Sequence, residues 1–207
     1  MSKQFYNNLF FENQDETWND APGKLVILKY LYDNFSGFKG KYIDIGCGSG
    51  YFTNKVAEAL PNLDVYGFDF SETAIEKAIV NYPLINFFVD DVHNRSWSKI
   101  GPFDIAVSYG CFEHFEKPEI ALKMLSDGLK PGGLFLLMIP TLGFYRKDRD
   151  DEGWYPDFND PPQLQWNLKR SSWEEKFSTV GLSLSDMNIS EKYGAHNTGN
   201  FYFGINN

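Results

Sequence analysis

The chain has 207 residues, enough for one sizeable core and too few for two full domains, so a single domain is expected. Hydrophobic residues make up 43% and aromatics 17%, with 19 Phe and 12 Tyr, which excludes a disordered chain. The formal net charge of -9 excludes a general basic footprint, so neither nucleic acid nor an anionic membrane is an expected partner.

In chain order, residues 1–37 read as an amino-terminal helical cap. Its best-defined part runs from Pro22 to Phe35, where Leu25, Ile27, Leu28, Leu31 and Tyr32 share one side, Pro22 opens the helix and Gly37 follows its end. Lys41 to Ile45 is a short apolar strand, and Tyr51 to Leu60 carries Phe52, Val56, Ala59 and Leu60 at helical spacing. A second strand covers Asp64 to Asp69, and Ser71 is placed to cap a helix reaching Asn81, which Pro83 ends before a strand from Ile85 to Val89. Phe103 to Tyr109 is the fourth strand, and a helix follows from Pro118 to Leu129. Lys130-Pro131-Gly132-Gly133 is expected to turn into the apolar strand Leu134 to Ile139.

Residues 141–171 break this rhythm, with Trp154, Tyr155, Phe158 and Trp166 set among charges and prolines, and read as an insertion or substrate lid. A helix from Ser172 to Val180 and strands Leu182 to Asn188 and Phe201 to Ile205 complete the chain. Alternating strands and helices with right-handed crossovers imply a doubly wound α/β sheet with helices on both faces.

Between the first strand and its helix lies Asp44-Ile45-Gly46-Cys47-Gly48-Ser49-Gly50. Glycine reaches positive φ cheaply and lets backbone approach a ligand closely, so this turn suits a nucleotide-like molecule. A dinucleotide fingerprint needs Gly or Ala where Tyr51 stands, and a phosphate-binding loop needs a Lys after its last glycine, which is missing. The remaining pattern, E/D-x-G-x-G-x-G, resembles the first motif of the class I S-adenosylmethionine-dependent methyltransferases.

That resemblance spans positions 40 to 140 and implies a Rossmann-like sheet of seven strands, mostly parallel, with an antiparallel edge hairpin. It implies S-adenosylmethionine as cofactor, held by Asp44, Gly46, Cys47, Gly48 and Gly50. Asp69 and Phe70 follow the second strand, the carboxylate suited to two ribose hydroxyls. Asp91 is expected on the adenine amino group and the Val92 N–H on a ring nitrogen, with Asp90 solvated. Tyr109 closes the strand that passes the methionine part of the cofactor.

Methyl transfer is an in-line displacement that asks mainly for positioning and exclusion of water. Where the acceptor must lose a proton, His114 is the candidate base, with Glu113 beside it, because imidazole titrates near neutrality. Gly110-Cys111-Phe112-Glu113-His114 is also similar to the Glu-x-x-Glu-His segment of ubiquinone-type O-methyltransferases, some of which hold a metal. Gly110 replaces the first Glu, so no metal is expected. His93 and His196 are expected to be polar loop residues.

Asp160-Pro161-Pro162-Gln163 resembles the Asp-Pro-Pro-Tyr signature of amino-methylating nucleic-acid enzymes. It lies after strand five and lacks the aromatic that stacks a base, which argues against that substrate. The expected partner is a small-molecule methyl acceptor with an oxygen or nitrogen nucleophile. Phe5, Tyr6, Phe10, Phe11 and Trp18, with the aromatics between Tyr145 and Trp166, either close over the ligands or meet a second copy in a homodimer. Only Cys47 and Cys111 occur, no stretch reaches transmembrane length, and the amino terminus has no apolar leader, so a cytoplasmic protein is expected. The alternatives from other classes are a catalytically silent S-adenosylmethionine-binding protein and a nicotinamide-dependent oxidoreductase.

Overall fold

A computed structural model describes residues 3–11, 19, 21–94, 96–140, 142, 150–156, 163–185 and 200–207. Trp18, Tyr145, Phe158, Asp160, Pro161, Pro162, Asn188 and His196 lie outside the described residues. Two helices come first, α1 (Lys3–Phe11) and α2 (Pro22–Phe35). The alternating part is β1 (Gly40–Ile45), α3 (Tyr51–Ala59), β2 (Leu63–Asp69), α4 (Glu72–Asn81), β3 (Asn86–Val89), β4 (Phe103–Tyr109), α5 (Pro118–Gly128) and β5 (Leu129–Ile139). β6 (Gly153–Pro156), β7 (Leu164–Asn167), α6 (Arg170–Thr179), β8 (Leu182–Leu184) and β9 (Asn200–Asn206) follow.

Seven strands form one sheet in the order β3-β2-β1-β4-β5-β9-β8. The first five run parallel, whereas β9 is antiparallel to both β5 and β8. Strand periodicity of two explains how both faces are filled. Ile105, Val107, Leu134 and Leu136 pack with Val26, Ile27 and Leu31 of α2 and Phe52 and Val56 of α3. Their neighbours Ala106, Phe135 and Leu137 point the other way, into Ala121, Leu122 and Leu125 of α5 and Trp173 and Phe177 of α6. Uninterrupted apolar runs therefore mark strands covered on both sides.

Several local rules hold at atomic detail. Ser71 accepts the Ala74 N–H at 3.2 Å and caps α4, and Pro22 and Pro118 occupy opening turns of α2 and α5. The Lys130-Pro131-Gly132-Gly133 segment differs from the expected turn. Phe103 pairs with Leu129 and Ile105 with Leu134, so these four residues form a bulge within β5 rather than a turn before it. Gly132 has φ +75° there, which a side chain would strain. The strand expected from Leu182 to Asn188 is described as β8 over Leu182–Leu184, and its part from 186 onward lies outside the described residues.

Residues 153–167 contain a separate two-stranded sheet, in which β6 and β7 pair antiparallel and place Trp154 opposite Trp166. Trp166 donates its indole N–H to the Phe115 carbonyl at 2.9 Å, fixing the hairpin beside the loop that follows β4. Among the described residues no helix is long and apolar enough to cross a membrane.

Candidate active site

In an open α/β sheet the crevice lies beyond the carboxyl ends of strands whose connections diverge, here β1 and β4. A cavity of about 790 Å³ opens there. Its wall takes Gly46, Cys47, Gly48 and Ser49 after β1, and Asp69 and Phe70 after β2. Asp90 to His93 come from the end of β3, and Tyr109 to Cys111 and Glu113 to Lys117 from the end of β4. Sequence-distant expectations thus meet in one place, including the ends of four strands.

Asp69 organises the first two loops. Its Oδ2 accepts the Gly48 N–H at 3.0 Å and its Oδ1 the Ser71 N–H at 2.9 Å. Burial raises this carboxyl to about 6, opposed by the backbone donors of Ser71, Gly48 and Phe70. Two bonds leave a carboxylate with further lone pairs, so the group can hold its turn and still receive two hydroxyls.

Asp44 and Gly50 are not among the residues that line this cavity. Asp44 sits behind the turn, where it accepts the Thr53 hydroxyl at 2.6 Å and ties β1 to α3. Burial raises it to about 6, with Thr53 and Lys24 acting in the opposite direction. Gly50 precedes α3 with φ +82°, and a Cβ there would stand 2.7 Å from Phe87 and 3.0 Å from Ala78. It serves the packing of the turn. Gly48, at φ +56°, lies under the Phe10 ring of α1.

The adjacent aspartates separate differently from expectation. Asp90 is buried rather than solvated, and it accepts Asp91 N–H at 2.8 Å, Asn94 Nδ2–H at 3.1 Å and Ser96 Oγ–H at 2.6 Å. Backbone and hydroxyl donors fold the loop around it. The more exposed Asp91 faces the cavity and accepts the His93 N–H at 2.9 Å, while His93 Nδ1 lies 2.8 Å from the same oxygen. Val92 is buried beneath them.

After β4, Gly110 turns with φ +66° and a 3-10 turn spans Phe112–His114. Glu113 is 1% exposed, and its Oε2 has no hydrogen-bond partner among the described residues. Burial raises this carboxyl to about 8. His114 Nδ1 is 3.1 Å from the Leu164 carbonyl, which can only accept; Nδ1 therefore carries the proton and Nε2 is the basic nitrogen of the neutral ring. Nε2 lies 3.9 Å from Glu113 Oε1. Burial, reinforced by the charge of Glu113, pushes the Tyr109 hydroxyl up to about 12.

Residues not weighed in the sequence complete the wall. Lys24 of α2 has its Nζ 5.6 Å from the centre of the Tyr109 ring, and Gln165 enters from β7. Neither position has a motif to announce it. Tyr6 and Phe10 line the cavity as two of the amino-terminal aromatics, while Phe5 packs edge-on to Tyr6 with ring centroids 5.1 Å apart. Cys47 and Cys111, remote in sequence, both reach the wall as free thiols, and burial pushes each thiol up. Among the described residues no three His, Cys, Asp or Glu side chains cluster to hold a metal ion.

A family model described as a methyltransferase domain matches residues 17–185. The chain belongs to the class I S-adenosylmethionine-dependent methyltransferases.

As a methyltransferase it is similar to the protein named Probable thiol methyltransferase 2 of Arabidopsis thaliana, with 30% identity over 159 residues covering 67% of this chain and 68% of that protein. A malonyl-[acyl-carrier protein] O-methyltransferase of Halalkalibacterium halodurans is 28% identical over 99 residues, 45% of this chain and 36% of the relative. Over the first four curated relatives the chain spans 36% to 68% of their length. The fold matches that of Burkholderia thailandensis 1,6-didemethyltoxoflavin-N1-methyltransferase, solved with its namesake ligand and S-adenosylhomocysteine. The TM-score is 0.70 and the identity 16%, covering 98% of this chain and 84% of that one.

S-adenosylmethionine is the cofactor of this family, and the geometry here fits it. The cavity has the size of pockets that enclose ligands of this kind. Small residues at 46 and 48 keep its floor open: a Cβ at Gly46 would come within 2.9 Å of Cys111 Sγ. Asp69 and Asp91 present acceptors where hydroxyl and amino donors of an adenosine can be met.

Proposed function

We propose that this protein transfers the methyl group of S-adenosylmethionine to an oxygen or nitrogen of a small molecule. The observation that carries the reading is that the Gly46 to Ser49 turn and the Asp69 carboxylate share one cavity with Glu113 and His114. A ligand-holding half and an acid–base half face the same space. The named relatives act on different acceptors, so the acceptor must be inferred from this wall rather than borrowed.

When bound, the cofactor supplies a methyl carbon already activated by sulfonium charge. In this reading Asp69 accepts the ribose hydroxyls, Asp91 accepts the adenine amino group, and the Val92 N–H meets a ring nitrogen. Gly46, Cys47, Gly48, Phe70 and Tyr109 shape the remaining wall. Lys24 supplies a positive charge for a carboxylate in a wall otherwise rich in acids. For an oxygen acceptor, His114 Nε2 is a group able to take a proton, because its Nδ1 proton is committed to Leu164. Tyr6 and Phe10 exclude water from above, and the β6–β7 hairpin supplies an acceptor-side wall through Gln165.

The test is transfer of labelled methyl from S-adenosylmethionine into fractionated small-molecule extracts. Label in a product of one fraction is expected. Stoichiometric binding of the cofactor with no label in any fraction would favour the silent binding protein instead.

A further inference from the structure

Glu113 is an unusual component of such a wall. It is fully buried, its Oε2 lacks a partner among the described residues, and its Oε1 faces Gly110, where a Cβ would be only 3.5 Å away. A buried carboxyl oxygen without a donor costs free energy that a ligand carrying donors can recover. Gln165, 4% exposed, also lines this cavity. It arrives on a different element, β7, held against the Phe112–His114 turn by the His114 contact to Leu164 O and the Trp166 bond to Phe115 O. Two independent elements therefore bring side-chain oxygens to one cavity, and that of Glu113 is unpartnered among the described residues.

We infer that the methyl acceptor of this protein presents an amino group, bound between the Glu113 carboxyl and the Gln165 amide oxygen. The inference rests on the methyl transfer proposed above. An ammonium group offers several N–H donors for the orphaned oxygen, and its positive charge favours the carboxylate form that burial alone disfavours. A carboxylate or phenolate acceptor offers no such donors to the Glu113 oxygen and would bring a negative charge beside Glu116 and Asp91, with Lys24 and Lys117 the cations on the same wall. The charges and titratable groups on the wall with Glu113 include His114 on its own turn, Glu116 and Lys117 just beyond it, His93 after β3, Tyr109 and Cys111 at the end of β4, and Lys24 of α2 over the Tyr109 ring.

The proton balance is simple. An N–H bond of the ammonium breaks as an O–H bond forms at Glu113, leaving a neutral amine. Its lone pair forms the new C–N bond as the carbon–sulfur bond breaks, and that electron pair stays on sulfur. Burial suits Glu113 to this exchange, since its proton affinity is raised toward that of an amine.

The experiment divides a metabolite extract on a cation exchanger into basic and unretained fractions and supplies each, with labelled S-adenosylmethionine, to the full chain. A product from the basic fraction, one methylene heavier at nitrogen, is expected. Methyl label only in an ester, ether or thioether from the unretained fraction would overturn the amine assignment while leaving methyl transfer standing. No label in either fraction would remove both.

With the amine acceptor in hand, Glu113→Gln should lower kcat/KM by about a hundredfold and leave S-adenosylhomocysteine affinity unchanged. Wild-type turnover by that variant would contradict the proposal. Should it not fold, Gln165→Leu serves the same purpose, with a several-fold rise in acceptor KM expected and an unchanged KM opposing the inference.

Discussion

The Asp69 carboxylate accepts the Gly48 backbone N–H at 3.0 Å, which joins the end of β2 to the glycine turn after β1. One side chain thereby sets the turn and lines the cavity. Asp69→Ala should weaken S-adenosylhomocysteine binding by roughly 1.5–3 kcal/mol, the value of hydrogen bonds to a charged group. That corresponds to about ten- to hundredfold in Kd by calorimetry. Full affinity in this variant would refute the ribose assignment.

Gly50 and Gly48 should respond differently to the same change. A methyl at Gly50 meets Phe87 and Ala78 behind the turn and demands a left-handed side-chain residue, so Gly50→Ala should destabilise the fold by about 1–3 kcal/mol. Chemical denaturation reads this loss. Since Gly50 is off the wall, the folded fraction should bind S-adenosylhomocysteine nearly as wild type does, and a selective loss of affinity would return Gly50 to the binding surface.

The amino-terminal helix is attached by polar contacts as well as by rings. Ser71 donates to Asn7 Oδ1 at 2.6 Å while capping α4, and Lys77 donates to the Phe10 carbonyl. Ser71→Ala removes both roles of that hydroxyl and should cost about 1–2 kcal/mol. Phe10→Ala should cost about 3–5 kcal/mol, since Phe10 is buried with Leu9 and Ala74. It should also weaken cofactor binding, because Phe10 covers Gly48, whereas Ser71→Ala should leave that affinity near wild type. Comparison of the two variants by thermal melting and calorimetry separates anchoring from covering.

Buried carboxyls give the protein an unusual pH response. Glu113 is raised from its ordinary 4.5 to about 8, and Asp44 and Asp69 from 3.8 to about 6, each chiefly by burial. The folded protein therefore holds protons that the unfolded chain has lost, so stability falls as pH rises through this range. For Glu113 the loss runs from about pH 4.5 to 8 and amounts to ~5 kcal/mol. Exposed Glu58 and Glu72, lowered by neighbouring donors and cations, act oppositely but are solvent-screened. Denaturation midpoints at pH 5 and pH 9 should differ, and Glu113→Gln should shrink the difference; an unchanged slope would show that Glu113 does not titrate in this window.

The sheet was legible because each strand is an apolar run closed by a turn residue or a cap, and Phe103–Tyr109 and Pro22–Phe35 have the expected bounds. The bulge at Lys130 to Gly133 was not, since Pro and Gly signal a turn without saying whether pairing resumes on the same strand. In the site, Gly46, Gly48 and Asp69 follow from backbone sterics and strand ends. Asp90 and Asp91 could be distinguished in part only: one carboxylate turns inward to Ser96 and Asn94, a choice made by loop closure rather than by residue type. Lys24 and Gln165 carry no local signal at all, because their place depends on how α2 and the β6–β7 hairpin dock.

The account rests most directly on which nucleotide enters the cavity. Titration calorimetry of the full chain with S-adenosylmethionine, S-adenosylhomocysteine and NAD should show one site for each sulfur compound and no heat with NAD. Binding of NAD alone would contradict the account.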